Sequence, residues 1–271
     1  MEVVTQGRGQ LDLRDPASLA AAIDRVRPDV VINAAAYTHV DKAEQERALA
    51  LELNRDGPAT LAALTSKLSL PFIHFSTDCV FDGKLDRPYV ESDPPEPVNW
   101  YGATKLAGEL AVLETNRDAL IFRVSWLYSP WGRNFLWTML NLAQSRETLE
   151  VVNDQFGAPT CAQAVASATL SIAHIYIGGS SPSGVFHMTS PDYTSRLGFA
   201  EAIFEASRSW RGGKVPTLVG VPTSHFPTPA LRGLNARLSC AALTMAYGIE
   251  LPTWQSGIAQ TIAALEPEFG V

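Results

Sequence analysis

The 271-residue sequence predicts an α/β fold, in which a doubly wound parallel sheet is followed by a smaller lobe. In the first half, short runs of β-branched and aromatic residues alternate with segments of helical periodicity. That alternation is typical of a parallel sheet covered on both faces. After about Asn153, glycine, proline and serine become more frequent and the strand signals shorten, which indicates a smaller lobe. We therefore predict a sheet domain over residues 1–152 and a lobe over 153–271, with interleaved elements.

The elements of the first half follow one another in a regular order. Asp15 followed by Pro16 is a helix start, and apolar residues at helical spacing continue to Val26. Strands and helices then alternate, and their predicted bounds are 30–33 (strand), 48–68 (helix), 72–76 (strand), 101–115 (helix), 120–124 (strand) and 134–146 (helix). The apolar stretch from Ala162 to Ile177 predicts a buried helix.

Ligands of such sheets bind beyond the carboxyl ends of the strands. Three segments directly follow a predicted strand, namely 33–36, 76–78 and 125–126. We expect the functional site at these segments.

Composition and charge exclude several classes of partner. The formal net charge is −7, so neither nucleic acid nor an anionic membrane is expected as the main partner. Cys79, Cys161 and Cys240 lack the spacing of metal ligands and are odd in number, which favours a reducing compartment over a disulfide framework. No signal peptide or long apolar run is visible, so we expect a cytoplasmic protein.

The sharpest local pattern is Tyr101-Gly102-Ala103-Thr104-Lys105. Tyrosine and lysine at positions i and i+4 share one helix face, and a nearby ammonium lowers the pKa of a phenol. Tyr101 is then a usable acid or base near neutral pH. The alternative interpretation is a partly exposed tyrosine beside a surface lysine, because this pattern often occurs by chance.

The surrounding residues strengthen the catalytic interpretation. Thr77 ends an apolar strand, where its hydroxyl can point into the ligand crevice, and small residues follow Asn33. Six ordered motifs then resemble the dTDP-4-dehydrorhamnose reductase family over essentially the whole chain. They are NAAAYTHVDKAE (33–44), FSTDCVFDG (75–83), YGATKLAGE (101–109), FRVSWLY (122–128), NDQFGAPT (153–160) and PTPALRGLNARL (227–238).

The resemblance implies a Rossmann-like fold and an NADPH-dependent oxidoreductase of dTDP-rhamnose biosynthesis, with NADH as the alternative cofactor. In that family, hydride reduces the keto carbon of dTDP-4-dehydro-β-L-rhamnose to give dTDP-L-rhamnose. Tyr101 would protonate the developing alkoxide, and Thr77 would hydrogen-bond the reacting oxygen. Lys105 would hold the nicotinamide ribose and depress the pKa of Tyr101. Two hydroxyl donors suit the negative charge that builds on the oxygen.

The resemblance assigns cofactor-binding or substrate-binding roles to further residues, and for some of them a purely structural role is the alternative. Ala34, Ala35 and Tyr37 would line the cofactor. Trp126 would pack on the sugar, although a core aromatic is an equal interpretation. Residues that would orient the sugar or the diphosphate are Asp78, Asn99, Gln155 and Arg232, while a strand-end cap, a turn residue and a solvated arginine are the alternatives for Asp78, Asn99 and Arg232.

Cofactor selection is expected near the beginning of the chain. Arg8 would meet the 2′-phosphate of NADPH, with Asp12 and Leu13 flanking the adenine. The alternative for Arg8 is a solvated residue in a turn.

The sequence departs from the family pattern at its N-terminal end. A Gly-x-x-Gly-x-x-Gly turn after a first strand is not present, which corresponds to roughly 25 to 30 residues of a strand-helix unit. We weigh a misplaced start, an inactive remnant, and a partner or second copy that supplies the edge. We favour the first, and expect weak NADPH binding by the 271-residue chain, which calorimetry would test.

Two single-residue departures concern metal and sugar binding. Gln163 stands where some members of the family are thought to place a carboxylate ligand, so we expect no metal and doubt a Mg²⁺ requirement. Cys79 stands where tyrosine is common, which would alter one contact to the sugar.

Two rival functions stay open at this point. A non-catalytic, reductase-like binding or regulatory subunit is favoured by the absent turn and disfavoured by Thr77, Tyr101 and Lys105. An epimerase or dehydratase of another nucleotide sugar is disfavoured, because Thr77-Asp78 is followed by Cys79 rather than by a further acid. A reductase of another nucleotide sugar stays an alternative. The expected partner is a nucleotide-sugar substrate, and a homodimer is an open alternative to a monomer.

Overall fold

The computed structural model describes residues 2–7, 9–179, 182–211 and 213–265. The helices of the described residues are α1 (Pro16–Val26), α2 (Val40–Ala43), α3 (Arg47–Leu51), α4 (Gly57–Lys67), α5 (Trp100–Thr115), α6 (Phe135–Ser145), α7 (Ala162–Ile177), α8 (Arg196–Ala206), α9 (Ala241–Tyr247) and α10 (Trp254–Leu265). The strands are β1 (Val31–Asn33), β2 (Phe72–Thr77), β3 (Leu120–Val124), β4 (Leu127–Tyr128), β5 (Thr148–Val152), β6 (Phe156–Gly157), β7 (Thr160–Cys161), β8 (Gly184–His187), β9 (Thr194–Ser195), β10 (Thr217–Val221) and β11 (Asn235–Ala236).

The central sheet has the strand order β1-β2-β3-β8, and all three pairings are parallel. Ile73 lies opposite Leu120, and Phe122 lies opposite Phe186. The carboxyl ends of β1, β2 and β3 therefore lie at one edge of the sheet. The predicted parallel α/β class is confirmed, because helices cover both faces of this sheet.

Each face of the sheet has its own apolar core. Leu19 of α1, Leu61 of α4 and Val112 of α5 pack against Phe72 and Ile121 on one face. On the other face, Ile172 of α7 and Leu243 of α9 pack in the cluster that contains Ile73 and Phe122. Alternate residues of β2 and β3 point to opposite faces, so a strand in the middle of this sheet is apolar on both sides.

A third apolar cluster joins α6, α8 and α10 beside the central sheet. Its large side chains include Leu136, Phe199 and Trp254. The chain crosses between this cluster and the central sheet more than once, because β8 belongs to the central sheet while β10 pairs with β5. No helix among the described residues is both long and apolar enough to cross a membrane.

The predicted helix over 48–68 requires a correction. The structure divides it into α3, a π-helical segment over Glu52–Asp56, and α4. Pro58 has no N–H to donate and its ring crowds the preceding turn, so a regular α-helix cannot pass through it without adjustment. The predicted start of α1 is confirmed, since Asp15 accepts a hydrogen bond from the Ala17 N–H and Pro16 follows directly.

Candidate active site

Thr77 and Tyr101 meet at the carboxyl end of β2. Thr77 is the last residue of β2, and Tyr101 lies in the first turn of α5. A Cβ atom at Gly102 would lie 2.1 Å from the carbonyl oxygen of Cys79, so only glycine allows α5 to approach the turn over Asp78–Val80 this closely. That approach brings the side chains of Tyr101 and Thr77 close to each other.

Burial raises the pKa of Tyr101 well above its ordinary value, and the nearby Cys79 thiol adds to the rise, which the contact with Thr77 partly offsets. The expectation of a lowered pKa is wrong for this structure, since loss of hydration outweighs any effect of Lys105. A raised pKa keeps the phenol protonated at neutral pH. The Tyr101 hydroxyl is therefore in the form that can give a proton to a developing alkoxide.

Lys105 lies one helical turn beyond Tyr101 and is almost completely buried. Its Nζ donates to the carbonyl oxygen of Phe75 at 2.6 Å and lies 3.4 Å from Nε2 of His74. Burial lowers the pKa of Lys105 to about 8, although Glu109 on the next turn of α5 works against the shift. An ammonium has several N–H donors, so Lys105 keeps donors for a ligand after the Phe75 contact.

His74 links Lys105 to the loop after β1. Its Nδ1 lies 3.1 Å from Nδ2 of Asn33, and Oδ1 of Asn33 accepts from the Ala35 N–H at 3.1 Å. The pKa of His74 is lowered by burial and by the charge of Lys105, so its ring is neutral. Sequence reasoning missed His74, because a histidine inside an apolar strand gives no signal apart from its position three residues before Thr77.

Asp78 holds the Thr77 hydroxyl. Oγ1 of Thr77 donates to Oδ1 of Asp78 at 3.0 Å and accepts from the Cys79 N–H at 3.2 Å. Burial raises the pKa of Asp78, while hydrogen bonds from Thr77 and Ser125 and the charge of Arg196 lower it. Asp78 thus orients the hydroxyl of Thr77.

The loop after β1 provides an open strip of small residues. Ala34 and Ala35 are both exposed. Tyr37, by contrast, is buried, its N–H bonds to Oδ1 of Asn54, and its hydroxyl donates to Glu46 at 2.6 Å. Tyr37 also lines a cavity of about 270 Å³ over residues 36–39, 42, 46, 49 and 53. Small exposed residues beside a rigid tyrosine let a flat ligand lie against the backbone.

Trp126 follows β3 and stands between two close neighbours. Its φ is 44°, in the left-handed region that a tryptophan rarely adopts. The guanidinium carbon of Arg196 lies 3.6 Å from the centroid of the Trp126 ring. A Cβ atom at Gly157 would lie 2.6 Å from the same ring, so glycine is required there. Backbone held in a rare conformation is often found at functional sites. Sequence reasoning did not single out Arg196, which follows a strand of only two residues.

A larger cavity, of about 610 Å³, lies beside the turn that follows Thr77. Its lining comprises residues 82–85, 154, 156, 232–235 and 237. Phe156 and Leu234 are exposed apolar side chains of this wall, and Arg232 and Arg237 are basic ones. The cavity thus offers an aromatic surface together with positive charge.

Three sequence-predicted residues are engaged elsewhere in the fold. Asn99 caps α5 by accepting from the Gly102 N–H, and its Nδ2 donates to the carbonyl oxygen of Leu231. Its amide therefore serves the helix and the loop that bears Arg232. Nε2 of Gln155 donates to Thr223, and Arg232 pairs with Asp41 at 2.9 Å.

The side chain of Leu13 is buried in the core cluster with Leu19 and Leu61, and its contact with the adenine stays a prediction. A Cβ atom at Gly57 would lie 3.0 Å from Cβ of Leu13, so this side chain packs closely against α4. Asp12 pairs with Arg14 at 2.7 Å, and Arg8 lies outside the described residues.

The chain matches the family described as "RmlD substrate binding domain" over residues 1–266. The chain belongs to this family. A dTDP-4-dehydrorhamnose reductase of Burkholderia thailandensis is 46% identical over 264 residues, which cover 95% of this chain and 89% of that protein. The enzyme of that name from Escherichia coli K12 is 39% identical, covering 94% of this chain and 85% of the relative.

Solved structures of dTDP-4-dehydrorhamnose reductases have folds similar to that of this chain. The dTDP-4-dehydrorhamnose reductase of Bacillus anthracis in complex with NADP gives a TM-score of 0.88 at 30% identity, over 96% of this chain and 89% of that one. A dTDP-4-dehydrorhamnose reductase from Clostridium acetobutylicum gives 0.90 at 33% identity, over 98% and 91%. The RmlD fold therefore accounts for nearly all of the chain.

As for metal ligands in this RmlD family member, the described residues contain no cluster of three or more histidine, cysteine or acidic side chains suited to a metal ion. Gln163 accepts a weak hydrogen bond from the thiol of Cys161.

Proposed function

We propose that this protein catalyses the NADPH-dependent reduction of dTDP-4-dehydro-β-L-rhamnose to dTDP-L-rhamnose. The observation that carries the proposal is the meeting of Thr77, Tyr101 and Lys105 at the carboxyl end of β2. Relatives of 36–46% identity are named dTDP-4-dehydrorhamnose reductase, and the Bacillus anthracis structure holds NADP. This supports oxidoreductase chemistry on a nucleotide sugar.

The residues present fit a nicotinamide cofactor. Ala34 and Ala35 form an exposed strip of small side chains at the end of β1, and Lys105 has donors left for a ribose hydroxyl. When bound, NADPH supplies the hydride. NADH is the alternative donor. Arg8 stays a proposed contact for the 2′-phosphate of NADPH, and Asp12 and Leu13 stay proposed contacts for the adenine.

The protein's own part in the reaction is to hold and protonate the reacting oxygen. Tyr101 keeps its proton at neutral pH and donates it to the oxygen as negative charge develops. The Thr77 hydroxyl donates to Asp78 in the free protein, and on substrate binding it turns its single proton to the same oxygen and stabilises the charge. Lys105 is buried one helical turn from Tyr101 and keeps N–H donors after its contact with Phe75, so it anchors the cofactor ribose beside Tyr101. Trp126 borders the sugar, and the cavity that contains Arg232 takes the nucleotide end.

The division by role follows from these positions. Residues 1–152 hold the proposed cofactor and catalytic side chains, and residues 153–271 supply most of the lobe that receives the nucleotide. The strand pairings β3-β8 and β5-β10 support interleaving of the two parts. We also propose a cytoplasmic location, where NADPH and nucleotide sugars meet.

A Tyr101→Phe variant tests the function. Turnover should fall by about 10²-fold to 10⁴-fold, because the proton donor is lost while the ring that fills the site remains. Loss of NADPH absorbance on addition of dTDP-4-dehydro-L-rhamnose is measured, with NADH in parallel and the product identified by NMR. Tyr247→Phe, on α9, is the matched control and should leave turnover unchanged.

The same experiment separates the rival functions. A non-catalytic binding subunit would show no turnover in the unchanged protein. A reductase of another nucleotide sugar would consume NADPH with that sugar and not with this one. An epimerase would convert its substrate without net loss of NADPH.

A further inference from the structure

Arg196 differs from the other basic side chains around the crevice. Lys84 pairs with Asp82 at 3.1 Å, Arg232 with Asp41 at 2.9 Å, and Arg237 donates to Oδ1 of Asn235 at 2.8 Å. The guanidinium of Arg196 forms no hydrogen bond or ion pair with any residue that the structure describes. Its contacts are with the rings of Trp126 at 3.6 Å and Phe135 at 5.2 Å.

The position of Arg196 is fixed by the backbone rather than by a partner for its charge. It opens α8 directly after β9, and its N–H donates to the carbonyl oxygen of Gln155 at 3.2 Å. β9 is antiparallel to β6, which carries Phe156 and Gly157. Two aromatic rings and the neighbouring strand pair thus hold a guanidinium, whose flat faces suit stacking.

The environment of Arg196 is poorly hydrated. Burial lowers its pKa to about 10, and the negative charge of Asp78 opposes the shift. Arg232 is near enough to act on the same pKa, and both arginines act on the Cys79 thiol. A half-buried cation without an acceptor carries a large cost unless a ligand supplies one. Two converging arginines in a protein of net charge −7 favour a ligand with more than one negative charge.

We propose that Arg196 is a specificity-determining residue that binds the diphosphate of the nucleotide sugar while it stacks on Trp126. This proposal rests on the proposed function, because the diphosphate belongs to that substrate. Arg196, whose donors are free, makes the stronger contact, and Arg232 shares its charge with Asp41. Trp126 is then the platform for this arginine as well as a border of the sugar. Its rare backbone conformation and the requirement for Gly157 follow from holding that platform in place.

The test measures nucleotide binding without turnover. Calorimetry with dTDP compares the unchanged protein with Arg196→Gln, Arg196→Lys and Arg208→Gln. Arg196→Gln should weaken dTDP binding by at least about tenfold, because a charged hydrogen bond is lost. Arg196→Lys should bind with intermediate affinity, since it keeps the charge without the planar fork. Arg208→Gln is the control, because Arg208 pairs with Glu205 and is exposed, and its affinity should not change.

A second ligand distinguishes a phosphate contact from a merely structural role. The loss caused by Arg196→Gln should be smaller for dTMP, which lacks the β-phosphate, than for dTDP. Equal losses for the two nucleotides, unchanged dTDP affinity of Arg196→Gln, or no dTDP binding by the unchanged protein would each overturn the proposal. Melting temperatures of the variants are measured alongside, and an Arg196→Gln protein that melts like the parent but binds dTDP weakly supports it.

The outcome is independent of the reductase assay. A protein that binds dTDP through Arg196 but does not reduce dTDP-4-dehydro-L-rhamnose refutes the proposed function and keeps this inference. A protein that reduces this sugar equally well with Arg196→Gln, at the same KM, keeps the function and refutes the inference.

Discussion

The two sides of the crevice satisfy their polar groups in opposite ways. On the β2 side, Lys105, His74 and Asn33 bond to one another or to the backbone, and Thr77 is held by Asp78. On the lobe side, the guanidinium of Arg196 rests on aromatic rings with its donors free of protein acceptors in the described structure. The hydrogen bonds of the reacting end are therefore formed before a ligand arrives, whereas the lobe side presents the unpaired Arg196 guanidinium to the ligand.

The largest effect is expected from breaking the buried ion pair that joins β3 to α5 on the β2 side of the crevice. Arg123 on β3 forms a buried two-point ion pair with Glu109 on α5, at 2.9 and 2.6 Å. Arg123→Met leaves the Glu109 carboxylate buried and alone, so the free energy of unfolding should fall by about 3 to 5 kcal/mol. Urea unfolding measures it. Glu114→Gln, exposed on the same helix, is the control, and an Arg123→Met loss as small as the control's would contradict the role of this pair.

A smaller effect is expected at Thr77. Thr77→Val keeps the shape and removes the hydroxyl, so kcat should fall by about 10²-fold to 10³-fold with a stable fold. Steady-state kinetics with NADPH measure it. Thr169→Val is the matched control, because its hydroxyl bonds within α7 to the Val165 carbonyl, far from the site. A change confined to KM would mean that Thr77 binds the ground state and the transition state alike.

Lys105 should give the β2 side its own pH dependence. The folded pKa of about 8 lies below the ordinary lysine pKa of 10.5, so the unfolded chain binds more protons between these values. Below pH 8 the buried ammonium lowers the free energy of unfolding. This penalty is relieved between pH 8 and about 10.5, so the free energy of unfolding rises with pH over that window. Melting temperatures of the parent and Lys105→Met are compared at several pH values. A difference that does not change across the window would show that Lys105 is not charged and buried as described.

The smallest effect is expected on the lobe side at Asp41. Asp41→Asn removes the charge partner of Arg232, and both side chains are partly exposed, so stability should change by about 1 kcal/mol or less. Urea unfolding and dTDP calorimetry are the measurements. A large loss of dTDP affinity, matching that of Arg196→Gln, would mean that Arg232 and not Arg196 makes the main contact.

Much of the fold was predictable because it depends on local rules. The apolar run Leu120–Val124 coincides with β3, and the Asp15-Pro16 pair marks the start of α1. The prediction of a helix over 48–68 did not include the π-helical segment, because hydrophobic periodicity does not distinguish hydrogen bonds to residue i+5 from those to residue i+4. The burial of the Leu13 side chain was not predicted, because nothing local distinguishes a core leucine from one that lines a crevice.

The candidate site divides along the same line. Thr77, Tyr101 and Lys105 were identified from their motifs, since a strand end and an i, i+4 helical pair have recognisable spacing. The pKa of Tyr101 was predicted in the wrong direction, because it depends on burial by neighbours distant in sequence. Arg196 lies 70 residues after Trp126 in the chain, and their stacking exists only once β6 and β9 pair.

The sequence by itself determined the parallel α/β class, the family and the three side chains proposed for the chemistry, because these follow from periodicity and from short motifs. The tertiary structure decided which hydroxyl Asp78 holds, which nitrogen faces Lys105, and which arginine remains without an acceptor. The physical reason is that hydration and charge pairing are set by atoms brought together from distant segments. Local sequence carries no measure of either until the chain has folded.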